Sequence, residues 1–213
     1  MNSVQNMKTE KLRKQVFESA LKIVESQGAE ALNARRLAEL SSCSLGSIYN
    51  VFGNLDDLRF HLNATILSRL YEVLFRTAEI GISREVSLLA LFKELGVAYV
   101  QFARQNPRLW KTLFEYAPSL SSVPDWYTKR AGEGIYQLCR KLSAAYGISE
   151  EKTKRLVGFF WSSVHGISAI LLNRKMEMVS DLFQDDCLDD FIEYSLTGLF
   201  RSRSDEMKQP IKA

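Results

Sequence analysis

A histidine flanked by serines at helical spacing is the first arrangement in this chain able to do chemistry. In "FFWSSVHGISAILL", Ser162 and Ser168 each stand about one turn from His165, where an imidazole on a helix can take a hydroxyl proton. Nucleophilic catalysis also needs a group that orients the histidine, and no acid nearby in the sequence is placed to do so. No phosphate-cradling loop or metal motif is present either. Cys43, Cys139 and Cys187 are far apart and odd in number. They read as free thiols in a reducing compartment rather than as a disulfide set or a metal site. No catalytic residue, cofactor or metal is therefore expected, and an enzyme using His165 stands as an alternative only.

A second stretch, "SSCSLGSIYNVFGNLDDL" (Ser41 to Leu58), offers binding chemistry instead. From Ser44 to Phe52 it carries no charge, one glycine, and hydroxyls and an amide around Tyr49. Leu37, Ala38, Leu40, Ile48 and Phe52 are spaced to close a small core between two short helices. Leu45, Gly46, Ser47, Tyr49 and Asn50 then face outward. A helix whose outer face is small and hydrogen-bonding can enter a DNA major groove unobstructed. Gly46 costs about 1 kcal/mol in a helix relative to alanine, a cost that close backbone approach to a phosphate explains. Arg35 and Arg36 lie in the first turn of the preceding helix, where cations oppose the helix dipole. A phosphate docked there gains from the helix N-terminus and the guanidinium together; for Arg36 a solvated charge pair is an equal reading. With the caps Asn33 and Ser44, the expected DNA-contacting set is Asn33, Arg35, Arg36, Ser44, Leu45, Gly46, Ser47, Tyr49 and Asn50.

The elements that position these residues are all helices. Leu12, Val16, Phe17, Ala20, Leu21 and Val24 form one apolar stripe, and Gly28 is a natural stop. Asn33 caps a second helix, Ser44 a third ending near Val51, and Asn54 a fourth reaching about Ile80, before Gly81. Ser83, Asn106-Pro107, Val123-Pro124 and Ser149-Glu150-Glu151 each mark a fresh helix start, with a last helix near Asp186–Arg201. No segment alternates like a strand. The expectation is an all-α fold of about nine helices: a three-helix helix-turn-helix head, residues 8–55, and a larger body, residues 56–203. With 213 residues, 46% of them hydrophobic, a core of that size needs no staples. The apolar stretches Leu88–Val100 and Leu156–Leu172 are broken by charges, Ser, His or Gly and do not read as membrane spans. The N-terminus has no apolar segment of secretory type. A cytoplasmic protein without membrane contact is expected. The net charge of +3 permits a polyanionic partner without indicating one.

"FESALKIVESQGAEALNARRLAELSSCSLGSIYNVFGNLDDL" resembles the DNA-binding head of the TetR (tetracycline-repressor) family, over Phe17 to Leu58. The resemblance implies a head of three helices, a six-helix ligand and dimer body, and function as a ligand-relieved repressor. This chain departs from the family pattern at three places. Ser42 stands where the turn usually has glycine, so a left-handed backbone there would be strained. Leu55, followed by Asp56 and Asp57, replaces a common basic residue at the start of the fourth helix. Leu45 replaces what is often a polar base-reading residue. In the body, Trp161, His165 and Gly166 resemble the W-x-x-x-H-G signature of a family subset.

The family resemblance implies an effector pocket within the body. The aromatics Phe102, Trp110, Phe114, Trp126, Tyr136 and Trp161, with His165 as a polar anchor, are its candidate lining. Gly158, Ser162 and Gly166 recur every four residues and permit a close helix crossing. Together with Leu188, Ile192, Ser195 and Leu199 on the last helix they are the expected dimer interface. The combined expectation is a homodimeric repressor released from a palindromic double-stranded DNA operator by a small-molecule effector. A helical protein-interaction module with a degenerate head, suggested by Leu55, Asp56 and Asp57, is the other alternative.

Overall fold

The computed structural model describes residues 2–115 and 123–173, together with Asp190, Phe191, Glu193, Tyr194, Ser195 and Thr197. Among the described residues, every regular element is helical: α1 (Asn2–Gln27), a 3-10 turn (Ala29–Ala31), α2 (Ala34–Leu40), α3 (Leu45–Val51), α4 (Leu55–Ser83), α5 (Leu88–Gln105), α6 (Pro107–Glu115), α7 (Asp125–Tyr146) and α8 (Glu150–Asn173). The fold is all-α, as the helical spacing of the apolar residues requires. Two compact units are present. One combines Met1–Ser68 with Asn106–Ala131, the other Arg69–Gln105 with the residues from Gly132 onward.

In the first unit, α1 turns Val16, Ala20, Ile23 and Val24 inward. It ends because Gly28 takes φ +92°, which a side chain would strain. α2 and α3 are seven residues each, too short to persist alone, and they are held by caps and packing. Asn33 Oδ1 accepts the Arg36 backbone N–H at 2.9 Å, and Ser44 Oγ accepts that of Ser47 at 3.1 Å. Asn54 does the same for Asp57 at the start of α4, at 2.8 Å. Between α2 and α3 the chain turns through Ser42, at φ +48°. This is the left-handed position where a glycine is usual, and serine occupies it under strain. Ser41, buried beside it, receives Gln15 Nε2 on its carbonyl at 3.2 Å, while its hydroxyl donates to Ser19 Oγ. Those two bonds pin the turn to α1.

Three details differ from the sequence expectation. Leu40 is 54% exposed, whereas Leu37, Ala38, Ile48 and Phe52 are buried. Ser41, four residues after Leu37, occupies the inward position instead, so Leu40 points away. Gly81 does not end α4, which continues to Ser83. A Cβ on Gly81 would come within 2.6 Å of Leu91, so the glycine serves a close approach of α4 and α5. Finally, Ser83 closes α4 rather than opening the next helix. Ser87 is the cap of α5, its hydroxyl accepting from Ala90 N–H at 3.2 Å.

The second unit centres on α5, which buries Leu88, Leu91, Phe92, Leu95 and Tyr99 and packs against α8. Phe92 and Phe160 meet edge to face at 5.1 Å. Tyr146 at the end of α7 donates to the Val86 carbonyl at 2.9 Å, anchoring the connection before α5. Glu150–Leu172 is long and apolar enough, by length and composition, to cross a membrane, with 33% of the stretch buried in the fold.

Candidate nucleic-acid interface and ligand cavities

The helix-turn-helix brings the expected DNA-facing residues to one short surface. On α3, Leu45, Gly46, Tyr49 and Asn50 are exposed and Ser47 is half-buried, while Ile48 and Val51 turn inward. A Cβ on Gly46 would meet nothing nearer than Ser44 Oγ at 3.9 Å. Packing within the chain therefore does not demand this glycine. On α2, Arg35 is exposed, while Arg36 donates through Nη1 to Gln27 Oε1 at 2.7 Å. The side-chain oxygens of Asn33 and Ser44 accept backbone N–H groups, which sets the two helix starts. At the start of α4, Asp56 pairs with Arg59 at 2.8 Å.

Behind α3 lies a cluster that the sequence did not suggest. Arg13 on α1 donates through Nη1 to the Val51 carbonyl at 2.6 Å. Through Nη2 it reaches His61 Nε2 at 2.7 Å. Its guanidinium also lies 4.4 Å from the centre of the Phe52 ring. Val51 is the last residue of α3, so one side chain satisfies a helix-end carbonyl and anchors the helix to α1. A guanidinium only donates, so His61 accepts through an unprotonated Nε2. The imidazole stacks on Trp126 at 4.4 Å and meets Phe52 edge-on. Contact partners 38 to 65 residues apart carry no local sequence signal.

Burial pushes the His61 pKa below the ordinary histidine value, and Arg13 and Arg130 push it the same way against the opposing Asp57 carboxylate. His165 is lowered by burial. For each, the folded state resists protonation more than the unfolded chain does. The stability this contributes is complete above the unfolded value, about pH 6.5, and is lost as pH falls below it toward the folded pKa. Unfolding midpoints are thus expected to drop on mild acidification, and His61→Gln to flatten part of that slope. Denaturant titrations across the acid range check this, and slopes unchanged in both His61→Gln and His165→Gln would contradict it.

The second unit holds a small, partly open cavity of about 30 Å³ lined by aliphatic and aromatic side chains, including Tyr71, Leu74, Phe92, Tyr99, Phe160 and Trp161. That is room for little more than water. A larger, open hollow of about 210 Å³ lies along α8, lined by Gly158, Trp161, Ser162 and His165. Trp161 belongs to both, and the Tyr99 hydroxyl sits 3.0 Å from His165 Nδ1. Of the other effector candidates, Phe102 is buried in α5, and Trp110 and Phe114 pack on each other in α6 at 5.2 Å. Trp126 stacks on His61 in the first unit, and Tyr136 is exposed with Lys154 over its ring. Of the dimer candidates, Gly158 and Ser162 are exposed and Gly166 half-buried on α8, beside Phe159 at 60% exposure. Ser195 is helical and half-buried. Leu188, Ile192 and Leu199 lie outside the described residues.

Residues 92–194 match the family described as "Tetracyclin repressor-like, C-terminal domain". No curated protein matches the chain in sequence. Among solved structures, a protein of unknown function from Rhodococcus sp. RHA1 is similar over 90% of this chain and 94% of its own, with TM-score 0.65 and 20% identity. A possible TetR family transcriptional regulator from Streptomyces coelicolor A3(2) covers 90% and 100%, with TM-score 0.57 and 15% identity. A substituted TetR from Acinetobacter baumannii AYE, solved in complex with minocycline, covers 90% and 94%, with TM-score 0.57 and 18% identity. The chain therefore has the fold of these TetR-family regulators, and its residues 92–194 carry the likeness to the tetracyclin repressor-like C-terminal domain.

Proposed function

We propose that the chain is a TetR-family transcriptional regulator, a cytoplasmic homodimeric repressor that a small-molecule effector releases from a palindromic DNA operator. The observation that carries this reading is the pair of capped seven-residue helices, whose exposed face is Leu45, Gly46, Tyr49 and Asn50. Residues 8–55 form the DNA-reading head and residues 56–203 the effector and dimer body. α3 enters the major groove, where Tyr49 and Asn50 reach base edges or phosphates. Asn33, Arg35 and Arg36 meet the backbone at the N-terminus of α2.

Two heads on one operator need a dimer. Among the described residues a Cβ at Gly158 or Gly166 would meet nothing within 4 Å, so their packing asks for neither glycine. A second α8 crossing closely at Gly158, Ser162 and Gly166 accounts for both, and for the exposed Phe159. The effector binds in the body with Trp161 and His165 among its contacts, and it relieves repression by binding the released state better than the DNA-bound one.

A gel shift with the DNA upstream of the neighbouring genes tests the proposal, and absence of any specific complex at low salt would overturn it. Arg35→Ala should weaken the complex about equally on all sequences. It should also lower the salt slope by about 0.9, the share of one phosphate contact. If affinity and slope both stay as in the parent, Arg35 is a solvated charge.

A further inference from the structure

We propose that the hollow beside Arg13 in the first unit is a binding site for a small aromatic anion, an aromatic carboxylate being its simplest occupant. The hollow measures about 400 Å³, within the range of small-molecule sites, whereas the apolar cavity of the other unit holds about 30 Å³. Its lining joins two kinds of group. Phe17, Phe52 and Trp126 supply aromatic surface, and Arg13, Lys14 and Arg130 supply positive charge, with Glu10 in the lining, Asp57 3.7 Å from His61 and Glu18 3.9 Å from Lys14 as the facing carboxylates.

The charge is held in place. The Arg13 guanidinium is fixed by the Val51 carbonyl and by His61, so little freedom remains to be lost when an anion binds. Lys14 and Arg130 are exposed at the rim and can close on a ligand without breaking any buried contact. Trp126 is fixed by its stack on His61 yet remains 37% exposed. A carboxylate takes charge-assisted hydrogen bonds from these cations while its ring lies along the aromatic surface. An alkyl cation or a neutral sugar would meet the wrong charge or the wrong wall.

Occupancy has a consequence for α3. The guanidinium an anion would engage is the one that holds the Val51 carbonyl at the end of that helix. The anion also offsets the positive charge of Arg13 and Arg130 that disfavours protonated His61.

The chain has two histidines, so imidazole NMR resolves the site without DNA present. Titrating the full chain with 2-naphthoate should shift the His61 signal saturably and leave that of His165 in place; a His165→Gln variant assigns the two. The neutral analogue 2-naphthylmethanol should bind at least about tenfold more weakly, since it lacks the charge-assisted bonds. Inorganic phosphate, which lacks the ring, should also bind more weakly than naphthoate. The double variant Lys14→Gln, Arg130→Gln alters only exposed residues, and its melting curve verifies folding. It should lose about tenfold in naphthoate affinity. The site is refuted by no saturable His61 shift at millimolar naphthoate, or by equal binding of the alcohol or of phosphate. Unchanged affinity in the folded double variant refutes it as well.

Discussion

Replacing Leu37 by alanine should cost about 2–5 kcal/mol of stability and, with it, the DNA-binding surface. Leu37 is 0% exposed and sits at the middle of α2, which packs on both α1 and α3. Truncation there loses the transferred methyl groups and leaves a void that two neighbouring helices cannot both collapse into. A seven-residue helix has no stability of its own to absorb the loss. The damage should therefore extend to the α2–α3 turn and the cap at Ser44. Leu40→Ala is the paired control. Leu40 is exposed, so its truncation should stay within about 0.5 kcal/mol. Denaturant unfolding measures both, with the midpoint moving for Leu37→Ala at unchanged slope. Equal losses at the two sites would mean that the turn after α2 is not set as described.

The contrast between those two leucines marks how far the sequence could be read. Local signals were sufficient for the helix starts at Asn33, Ser44, Asn54 and Ser149, because a cap acts within three residues of itself. The strained turn at Ser42 was legible for the same reason, since it needs only a position in a motif and a residue type. Leu40 was not, because a short helix ends before its periodicity decides between positions three and four residues on. Ser83 reads as a helix start in the sequence because a serine can close a helix as well as cap one. Gly81 reads as a stop because the contact with Leu91 that calls for a glycine there is not local in sequence. The Arg13–His61–Trp126 cluster joins α1, α4 and α7, and nothing in a linear pattern ties those positions. Trp161 lines the apolar cavity, and Trp126 stacks on a histidine of the other unit.

Gly134 carries no local signal in the sequence either, and its substitution should have the second large effect. On the helix α7 a Cβ at this position would lie 2.2 to 2.9 Å from Cδ2, Cε2 and Cγ of Tyr71 on α4. Cγ is one bond from the Tyr71 Cβ, so swinging the far end of the ring does not relieve the clash. The whole side chain has to rotate, or the two helices have to part. Alanine at Gly134 gains helix propensity of about 1 kcal/mol, which offsets part of the overpacking cost of about 1–3 kcal/mol. Leucine gains a similar propensity and adds three more carbons to the same space, so for Gly134→Leu the overpacking wins. Gly158 on α8 is the counterexample within the same unit: among the described residues a Cβ there meets nothing within 4 Å. Gly158→Ala should raise the stability of an isolated subunit by up to about 1 kcal/mol. Thermal unfolding of the pair should therefore move in opposite directions. Tyr71 also lines the apolar cavity, next to Ile135. A ring displaced from α7 has that space to enter, so Gly134→Ala should fill the cavity while DNA binding persists. If Gly134→Leu melts with the parent chain, Tyr71 leaves its place without cost, and the close approach of α4 and α7 is incidental to the fold.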